Sequence, residues 1–562
     1  MTHPVTEKAT ETFALTTPLY YVNGLPHIGS AYTTMAADAL ARFYRLQGRP
    51  VLSITGTDEH GQKIERTAQG RGLEPQAHCD EMVHGFRQLW DKLNIRYDRL
   101  SRTTAPRHHA IVKEFFQRVW DNGDIYLGEQ KGWYCVACEE FKDERDLDDE
   151  KHCSIHPNQK AEWRDESNYF FRLSKYQEKL EQLYADHPEM IQPDSRRNEV
   201  LSFMSQGLQD FSISRLNLDW GFPFPTDPDH TIYVWFDALL GYVTALLEPD
   251  EEPTLDNALK RWWPMNLHII GKDISRFHAL YWPAMLMSAG LEVPQKLFIH
   301  GFLTKDGLKM GKSLGNTLDP FELSDRYGAD AIRYYFLKEV EFGRDGDFNE
   351  QRFVTVLNAD LANDLGNLLN RTLRMLHKYC DGAVPDVAVP ESDALRSLGE
   401  TLGDRVRGAY GRVAFHEACK GILGLAQAGN KYLDDRAPWT RYKEGNQAEV
   451  EETLYAVLES VRLAAYWLSP ITPTLSGKIY QQLGYQQSGY DVSFDDLKGD
   501  AAIALKSHGE WGILTAGQNM EKPQPVFQKL ESVEPIAEIC LRATDLSRKS
   551  VHDEGVADKT SC

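Results

Sequence analysis

The sequence predicts an α/β protein in which a parallel sheet is divided by an insertion and followed by an α-helical bundle. Strand–helix–strand patterns occur on both sides of a cysteine-containing segment, and helical periodicity begins at about residue 350. A chain of 562 residues exceeds the size of one hydrophobic core, so roughly three or four domains are expected. We expect two catalytic halves, an insertion between them, a helical domain and a C-terminal segment. The two catalytic halves are expected at residues 1–125 and 226–345, and the insertion at 126–225. The helical domain is expected at 346–500 and the C-terminal segment at 501–562.

The composition is typical of a soluble globular protein, with 42% hydrophobic and 26% charged residues. The net charge of −21 argues against a broadly cationic surface that wraps nucleic acid, although it is compatible with a local basic patch. No apolar run approaches the ~20 residues that span a bilayer, and the N-terminus lacks the layout of a secretory signal. Five of the eight cysteines are scattered. We therefore expect a cytoplasmic enzyme without a membrane partner.

A βαβ unit opens the chain. The segment "TFALTTPLYYVNG" predicts a buried strand that ends in a turn. The next segment carries Met35, Ala39, Phe43 and Leu46 at helical spacing, with Gly48 positioned to end the helix. A second strand is predicted in "RPVLSITGTDEHG". Such a unit implies a parallel sheet whose ligands bind at the carboxyl ends of its strands.

The turn "GLPHIGS" lies at that ligand-binding edge, where the chain enters the first helix. A helix N-terminus offers unpaired backbone N–H groups and a positive dipole end, which favour anions. Gly29 would let a nucleotide pack on the backbone, and His27 could donate a hydrogen bond to a phosphate. At this point a purely structural interpretation stays open, in which His27 caps the helix and Gly29 allows close packing.

The insertion contains a pattern typical of a zinc site. Cys135 and Cys138 form one pair of ligands, and after fourteen intervening residues Cys153 and His156 form a second pair. Four ligands of this kind suit a tetrahedral Zn²⁺ ion, and they leave no open position, so the site is expected to be structural. His152 is an alternative fourth ligand, but it is less well placed because it is directly adjacent to Cys153. The intervening loop, "EEFKDERDLDDE", is very acidic and is expected to be solvated.

The α/β pattern returns after the insertion and ends in a lysine-containing loop. "LHIIGKD" predicts a strand, "ISRFHALYWPAMLMSAG" one apolar helix and "KLFIHGFL" another strand. The loop that follows, "TKDGLKMGKSLGN", places Lys305, Lys309 and Lys312 among glycines. These ammonium groups could meet a polyphosphate, although an ordinary solvated loop would have the same composition. The loop lacks the P-loop pattern.

Together these segments resemble the class I aminoacyl-tRNA synthetases. "HIGS" at residues 27–30 corresponds to the HIGH signature of that class, and "KMGKS" at 309–313 corresponds to KMSKS. Further stretches, "PLYYVNGLPHIGSAYTT", "GTDEHGQKI", "YVWFDALLGYVTA", "IIGKDISRFHALYWPA" and "DFNEQRF", narrow the resemblance to the methionyl-tRNA synthetase family. It covers about the first 500 residues. It implies a Rossmann-type sheet split by a zinc-binding insertion and followed by a helical anticodon-binding domain.

The resemblance implies activation of methionine by ATP with Mg²⁺, and transfer of the methionyl group to initiator and elongator tRNA(Met). Catalytic roles are implied for His27, Ser30, Lys309 and Lys312, and ATP binding for these residues together with Gly29. Two residues depart from the signatures. Ser30 replaces the second histidine and can donate a hydrogen bond without carrying charge, and Gly311 replaces the middle serine of the lysine loop.

Methionine needs an apolar pocket for its thioether side chain and an anion for its ammonium group. The resemblance assigns the pocket to residues from both halves of the chain, with Asp58 as the ammonium partner. The other pocket residues are Leu19, Tyr21, Trp235, Ala238, Tyr242, Phe277 and His278. Asp273 and Lys272 are further candidates near this pocket. Taken singly, each aromatic residue could equally belong to the core.

The helical part matches the anticodon-binding domain of the family. Asn367 and Arg371 are four residues apart and would share one helix face. With Trp439, they occupy the positions that the family uses to bind the CAU anticodon. The last thirty residues are too short for the appended tRNA-binding domain that makes some relatives dimeric, so we expect a monomer. The alternatives are a catalytically silent tRNA- or zinc-binding paralogue and a class I synthetase for another hydrophobic amino acid.

Overall fold

The computed structural model describes residues 12–142, 144–154, 158–310, 316–485, 494 and 505–531. Its first part alternates strands and helices, as the periodicity of the sequence predicts. In chain order these elements are β1 (Phe13–Tyr21), α1 (Ile28–Leu46), β2 (Val51–Asp58), α2 (Gln62–Gly70), α3 (Pro75–Lys92), β3 (Arg99–Arg102) and α4 (Pro106–Asp121). Gly48 follows α1 with φ of 76°, a left-handed conformation that favours glycine at this position.

The chain then leaves the first strands and forms the insertion. Its elements are β4 (Ile125–Cys135), β5 (Glu140–Lys142), β6 (Glu162–Phe171), α5 (Gln177–Asp186), β7 (Ile191–Gln192), α6 (Asp194–Met204), β8 (Phe211–Ser212), β9 (Ser214–Leu216) and β10 (His230–Ile232). Strands β5, β4, β6 and β8 pair in that order as an antiparallel sheet. The segment from β4 to β6, residues 125–171, is called the knob below.

The second α/β part follows. Its elements are α7 (Val234–Ala238), α8 (Gly241–Thr244), α9 (Leu255–Leu259), β11 (Leu267–Gly271), α10 (Trp282–Ser288), β12 (Leu297–His300), β13 (Leu303–Lys305), β14 (Leu308–Lys309), α11 (Pro320–Tyr327), α12 (Ala329–Glu339) and β15 (Gly346–Phe348). Short 3₁₀ turns occupy Glu144–Asp146, Leu173–Tyr176, Lys272–Ile274 and Ser507–Gly509.

A six-stranded parallel sheet organises both α/β parts. Its strand order is β3-β2-β1-β11-β12-β7, and every neighbouring pair is parallel. The chain proceeds from β1 to β2 and β3 on one side, and later places β11 on the other side of β1. At such a switch point the connections leave in opposite directions and open a crevice at the carboxyl ends of the strands. The candidate site lies in this crevice.

The helix before β12 differs from the continuous apolar helix that the sequence predicts. Residues Phe277–Tyr281 form a π-helical turn, and the α-helix begins only at Trp282. Pro283 lacks an N–H group and cannot donate to the carbonyl of Ala279 four residues earlier. That carbonyl accepts a hydrogen bond from the Tyr184 hydroxyl instead. The widened turn follows from this proline.

The C-terminal part is helical, as the predicted fold class requires. Its helices are α13 (Glu350–Leu357), α14 (Leu368–Tyr379), α15 (Ala394–Gly411), α16 (Phe415–Arg436), α17 (Pro438–Lys443), α18 (Gln447–Leu468) and α19 (Pro473–Gln482), with a π-helical segment at Asn358–Asn367. The core is continuous with that of the α/β part, since Phe43 of α1 stacks on Tyr410 at 4.1 Å between ring centroids. Within the described ranges, no helix has both the length and the apolar character to cross a membrane.

Candidate active site

A cavity of about 530 Å³ opens at the carboxyl ends of β1 and β11. Its walls come from the turn between β1 and α1, from the ends of β2 and β12, from α7 and from the knob. His27, Gly29, Ser30 and Asp58 all line it, together with Trp235. A narrower cavity adjoins it and shares several of its residues. Residues that are far apart in the sequence therefore meet at the switch point of the sheet.

His27 both caps α1 and faces the cavity. Its Nδ1 accepts hydrogen bonds from the backbone amides of Gly29 at 3.1 Å and Ser30 at 3.3 Å. Because Nδ1 is the acceptor, the proton of the neutral ring lies on Nε2, which makes Nε2 a hydrogen-bond donor. A Cβ atom on residue 29 would lie 2.9 Å from the His27 ring, so glycine permits this arrangement. The capping role and the donor role are thus compatible in one side chain.

Cross-strand hydrogen bonds fix the start of α1. Ser30 is buried, and its carbonyl accepts a hydrogen bond from the Tyr20 hydroxyl at 3.2 Å. The His300 ring donates from Nδ1 to the carbonyl of Gly301, so its Nε2 accepts from the Thr33 hydroxyl at 2.7 Å. Burial lowers the pKa of His300 to about 4, which keeps this ring neutral. The turn that carries His27 is therefore held against both β1 and β12.

Asp58 is a buried carboxylate with an unused acceptor. Its side chain lines both cavities, and among the described residues no group donates to its Oδ1 atom. Burial raises the pKa of Asp58 well above its usual value, and the nearby carboxylates of Asp237 and Glu139 raise it further. An unpaired buried carboxylate is costly unless a cation completes the site. The arrangement is suited to binding an ammonium group.

The remaining predicted pocket residues surround Asp58. Leu19, Trp235, Ala238, Tyr242 and His278 line the narrower cavity, and Tyr21 and Phe277 line the larger one. The rings of Trp235 and Phe277 stack with centroids 3.9 Å apart and planes at 7°. Tyr242 donates from its hydroxyl to Nε2 of His278 at 2.7 Å, while Nδ1 of that ring donates to the carbonyl of Ile274. Burial lowers the pKa of His278 to about 4, so the wall is apolar and neutral.

A buried histidine–aspartate cluster lies beside the pocket. Asp237, on the same helix as Trp235, accepts hydrogen bonds from His60 at 2.5 Å and from His108 at 2.7 Å. His60 lies in the turn after β2, two residues beyond Asp58, and His108 lies on α4. The cluster therefore connects the anionic end of the cavity to its aromatic wall.

The lysine loop is described only in part. Lys309 ends β14 and is exposed, and its carbonyl accepts a hydrogen bond from Asn316 at 3.1 Å. Lys312 lies outside the described residues. Lys272 forms an ion pair with Asp345 at 2.7 Å and lies over the Phe302 ring at the cavity mouth. Asp273 also lines the cavity.

Three of the four predicted metal ligands converge in the knob. The sulfur atoms of Cys135, Cys138 and Cys153 lie within 4.8 Å of one another, and those of Cys138 and Cys153 are 3.6 Å apart. The Cys135 thiol raises the pKa of Cys138, and burial raises it further. Converging thiols of this kind fit a thiophilic cation such as Zn²⁺, which ionises its sulfur ligands. His156 lies outside the described residues, and the alternative His152 is beside Asp148, at 3.2 Å.

The three predicted anticodon residues lie in the helical domain. Asn367 is exposed at the end of the π-helical segment, and Arg371 follows one turn later on α14. Arg371 pairs with Asp434 on α16 at 2.6 Å. Five residues beyond Asp434, Trp439 presents an exposed ring on α17. The Arg371–Asp434 contact places the helix that carries Arg371 beside the chain segment that leads to Trp439.

Sequence reasoning missed several residues at this site. Asp237, His108 and His300 bind neighbours far away in the chain, and no local pattern marks such pairs. Glu139 corrects a specific expectation. It belongs to the acidic loop that the sequence predicts to be solvated, yet it is 5% exposed and lines the cavity beside Asp58. The reason is that its carboxylate accepts hydrogen bonds from the cavity wall.

The split parallel sheet, the capped histidine turn and the lysine-bearing strands β13 and β14 that follow β12 define a class I aminoacyl-tRNA synthetase. Two family models agree with this class. The model for class I tRNA synthetases (M) matches residues 13–373, and the model for the anticodon binding domain of methionyl tRNA ligase matches residues 388–538. The chain belongs to the methionyl-tRNA synthetase family, which confirms the resemblance seen in its motifs.

Relatives and solved structures agree over nearly the whole chain. A methionine–tRNA ligase of Thermosynechococcus vestitus is 68% identical over 92% of this chain and 97% of its own length. The enzyme of the same name from Synechocystis is 66% identical over 93% and 99%, respectively. A structure of Mycobacterium tuberculosis methionyl-tRNA synthetase in complex with methionyl-adenylate matches with a TM-score of 0.85 and 42% identity, covering 92% of this chain and 99% of that one. The predicted fold class is thereby confirmed.

Proposed function

We propose that this chain is a methionine–tRNA ligase, which activates methionine with ATP and transfers it to the 3′-terminal adenosine of initiator and elongator tRNA(Met). The observation that carries the proposal is the buried Oδ1 atom of Asp58 beside an aromatic pocket, to which no group of the described residues donates. An amino acid with an apolar side chain fits both features at once, because its ammonium group pairs with the Asp58 carboxylate and its side chain fills the pocket.

The pocket fits a thioether side chain. Trp235 and Phe277 provide stacked aromatic surface, and sulfur makes favourable contacts with aromatic rings. Leu19 and Ala238 add apolar surface, and the Tyr242 hydroxyl donates a hydrogen bond to His278 within the pocket wall. Since their polar atoms are already paired, a hydroxyl-bearing amino acid would gain little there. Tyr21 and Asp58 complete the proposed methionine site.

ATP is proposed to bind at the N-terminus of α1. His27 donates from Nε2 to a phosphate, Gly29 lets the nucleotide approach the backbone, and Ser30 supplies a further donor. Lys309 and Lys312 are proposed to neutralise the far end of the triphosphate. Mg²⁺ would enter with ATP and offset part of its charge.

The reaction is driven by positioning and charge neutralisation, with no covalent intermediate on the protein. A carboxylate oxygen of methionine attacks the α-phosphorus of ATP, and the bond to pyrophosphate breaks. The 2′-hydroxyl of the terminal ribose of tRNA then attacks the methionyl carbonyl carbon, and AMP leaves. His27 and the two lysines act on the first step, where negative charge accumulates on the transferred phosphate.

One structural zinc ion is proposed for the knob. Cys135, Cys138 and Cys153 would hold it with His156 as the fourth ligand, and the ion would stabilise the knob fold. The expected result of metal analysis on the purified protein is one zinc per chain. Replacement of Cys138 by serine should lower this content, whereas replacement of the scattered Cys380 should leave it unchanged.

The helical domain is proposed to bind the CAU anticodon through Asn367, Arg371 and Trp439. An exposed tryptophan offers a stacking surface for an unpaired base, and an asparagine and an arginine can bind base edges. Arg371 would break its ion pair with Asp434 when it binds the tRNA. The chain is proposed to act as a cytoplasmic monomer, and a sedimentation coefficient that stays constant with protein concentration is expected.

ATP–pyrophosphate exchange with each of the twenty amino acids tests the proposal. Exchange with methionine alone, followed by charging of a tRNA transcript that carries CAU, is the expected result. A folded, zinc-loaded protein that exchanges with no amino acid would instead be a silent paralogue, with Ser30 as the first residue to examine. Exchange with another amino acid would show that the chain is specific for that amino acid instead of methionine.

A further inference from the structure

Glu139 directly follows a metal ligand of the knob, yet its carboxylate lies in the active-site cavity. The side chain is 5% exposed and lines the same cavity as Asp58. Its backbone has φ of 54°, a left-handed conformation that is unfavourable for a glutamate. Such a conformation persists only where surrounding contacts hold it. The contacts made by the carboxylate provide that restraint.

Two donors from different elements meet one oxygen of this carboxylate. Oε1 of Glu139 accepts from the hydroxyl of Tyr21 at 2.8 Å and from the backbone amide of Lys63 at 2.8 Å. Tyr21 ends β1, and Lys63 lies in the first turn of α2. Gly61 has φ of 111°, and a Cβ there would lie 2.4 Å from Oε2 of Glu139. The turn before α2 therefore packs closely against the Glu139 carboxylate.

Other contacts show that the knob is docked on α2 at this point. The Lys63 ammonium group lies 3.4 Å from the carbonyl of Ala137, and Arg164 of β6 donates to Gln62 at 2.7 Å. A third contact, between Arg66 and Glu162, is an exposed ion pair at 2.9 Å. Among the described residues, Glu139 accepts a hydrogen bond directly from Tyr21, a side chain of the proposed methionine pocket. Glu139 therefore connects the chain segment beside the cysteine cluster to the proposed pocket.

We propose that Glu139 is a positioning residue of the methionine site and makes methionine affinity depend on the metal in the knob. Resting on the proposed function, this assigns Glu139 two tasks. It holds the Tyr21 ring in place at the pocket through the hydroxyl, and it fixes the turn after β2 through the Lys63 amide. The adjacent cysteine cluster sets where residue 139 lies, so loss of the metal releases both groups together.

Equilibrium binding of methionine alone, measured by calorimetry, tests the proposal without turnover. Glu139→Ala is expected to weaken methionine binding about tenfold, and to raise KM for methionine in the exchange reaction with KM for ATP unchanged. Glu139→Gln keeps an oxygen acceptor and should stay within about threefold of the parent protein. This rescue by the conservative variant separates positioning from general disturbance of the knob. Equal affinity in all three proteins would overturn the proposal.

A double-mutant cycle tests whether Tyr21 transmits the effect. In the Tyr21→Phe background, Glu139→Ala should change methionine affinity by less than about threefold, because the hydroxyl that it binds is already absent. An undiminished loss in that background would show that Glu139 acts independently and contradict the assignment. The matched control is Glu162→Ala, which removes an exposed carboxylate at the same interface and should leave methionine affinity unchanged.

The metal supplies the last comparison. Removal of zinc by a chelator should weaken methionine binding in the parent protein, but weaken it little further in Glu139→Ala. Circular dichroism of each stripped protein monitors whether the sheet and helices persist. An equal effect of zinc removal in both proteins would overturn the link. If the parent protein shows no exchange with methionine, the proposed function itself fails, and that result is distinct from unchanged binding in the variant.

Discussion

Oδ1 of Asp237 lies 2.7 Å from Nε2 of His108, and the second oxygen of the carboxylate accepts from His60. Burial alone would raise the pKa of Asp237, but the two imidazoles hold it well below its usual value. The carboxylate is thus ionised and fully paired, in contrast to Asp58 nearby. It ties α4 and the turn after β2 to the helix that carries Trp235. One buried anion thereby fixes three parts of the chain around the cavity.

Replacing Asp237 with asparagine should destabilise the protein and weaken methionine binding. The amide can accept from one imidazole, but its NH₂ group then faces the N–H of the other. Breaking a buried pair in this way costs about 3 kcal/mol of unfolding free energy. Urea denaturation measures the loss, and Asp229→Asn, at an exposed position of the preceding loop, should cost less than about 0.5 kcal/mol. Equal stability of the two variants would contradict the pairing described above.

Substitutions of His27 should separate its two roles. Asparagine is a good N-cap residue but lacks a donor at the position of Nε2, so His27→Asn should keep thermal stability close to the parent protein. Its exchange rate should nevertheless fall about 100-fold or more, because one phosphate donor is lost. His27→Ala loses the cap as well and should cost about a further 1 kcal/mol of stability. Differential scanning calorimetry and pyrophosphate exchange measure the two effects.

Asp58→Asn should stabilise the free protein while abolishing tight methionine binding. Removing a buried charge that no cation of the described residues neutralises should favour the folded state by about 1 kcal/mol, whereas loss of the ammonium contact should weaken binding about 100-fold. Because the pKa of Asp58 is raised in the folded state, methionine binding to the parent protein should also weaken as pH falls through that raised value. Thermal midpoints and calorimetric titrations provide the measurements. A variant that is less stable and still binds would contradict this account.

The protein should lose stability between pH 6.5 and pH 4 through its buried histidines. Burial lowers the pKa of His278, His300 and His508 to about 4 in the folded state, and Arg462 contributes at His508. The unfolded chain, with histidine pKa values of about 6.5, then binds more protons in this range. Its unfolding free energy therefore falls as pH decreases, by up to about 1.4 kcal/mol per pH unit for each group.

Thermal midpoints measured across this pH range test the expectation. Of the three histidines, His508 lies outside the active site. His508→Gln should therefore reduce the slope of stability against pH. The exposed His84→Gln is the matched control and should leave the slope as it is. Midpoints that stay constant from pH 6.5 to pH 4 would show that these rings are not kept neutral.

The features predicted from sequence are those encoded over short distances. The strand, turn and helix around His27 follow from periodicity and from one glycine, and the spacing of Cys135, Cys138 and Cys153 brings three sulfur atoms together. Asp58 lies within a recognisable stretch that ends a strand. In each case the residue type and its neighbours carry the information, so a single sequence suffices.

The features that escaped prediction depend on contacts between distant segments. Asp237 and His108 are separated by 129 residues, and the packing of α4 against α8, which directly follows α7, brings them together. Glu139 resembles the acidic residues around it, and its role depends on Tyr21, 118 residues earlier. A charged side chain gives no local sign that it will be buried, because its partner decides that outcome.

The π-helical turn at Phe277–Tyr281 has a consequence for how specificity can change. Each helical residue adds about 100° of rotation, so removing one residue from this turn would swing Phe277 and His278 out of the cavity while α10 kept its place. The wall of the pocket is therefore set by the number of residues in the chain as well as by their identity. A one-residue insertion or deletion here is therefore expected to reshape the pocket wall, although Phe277 and His278 keep their identities.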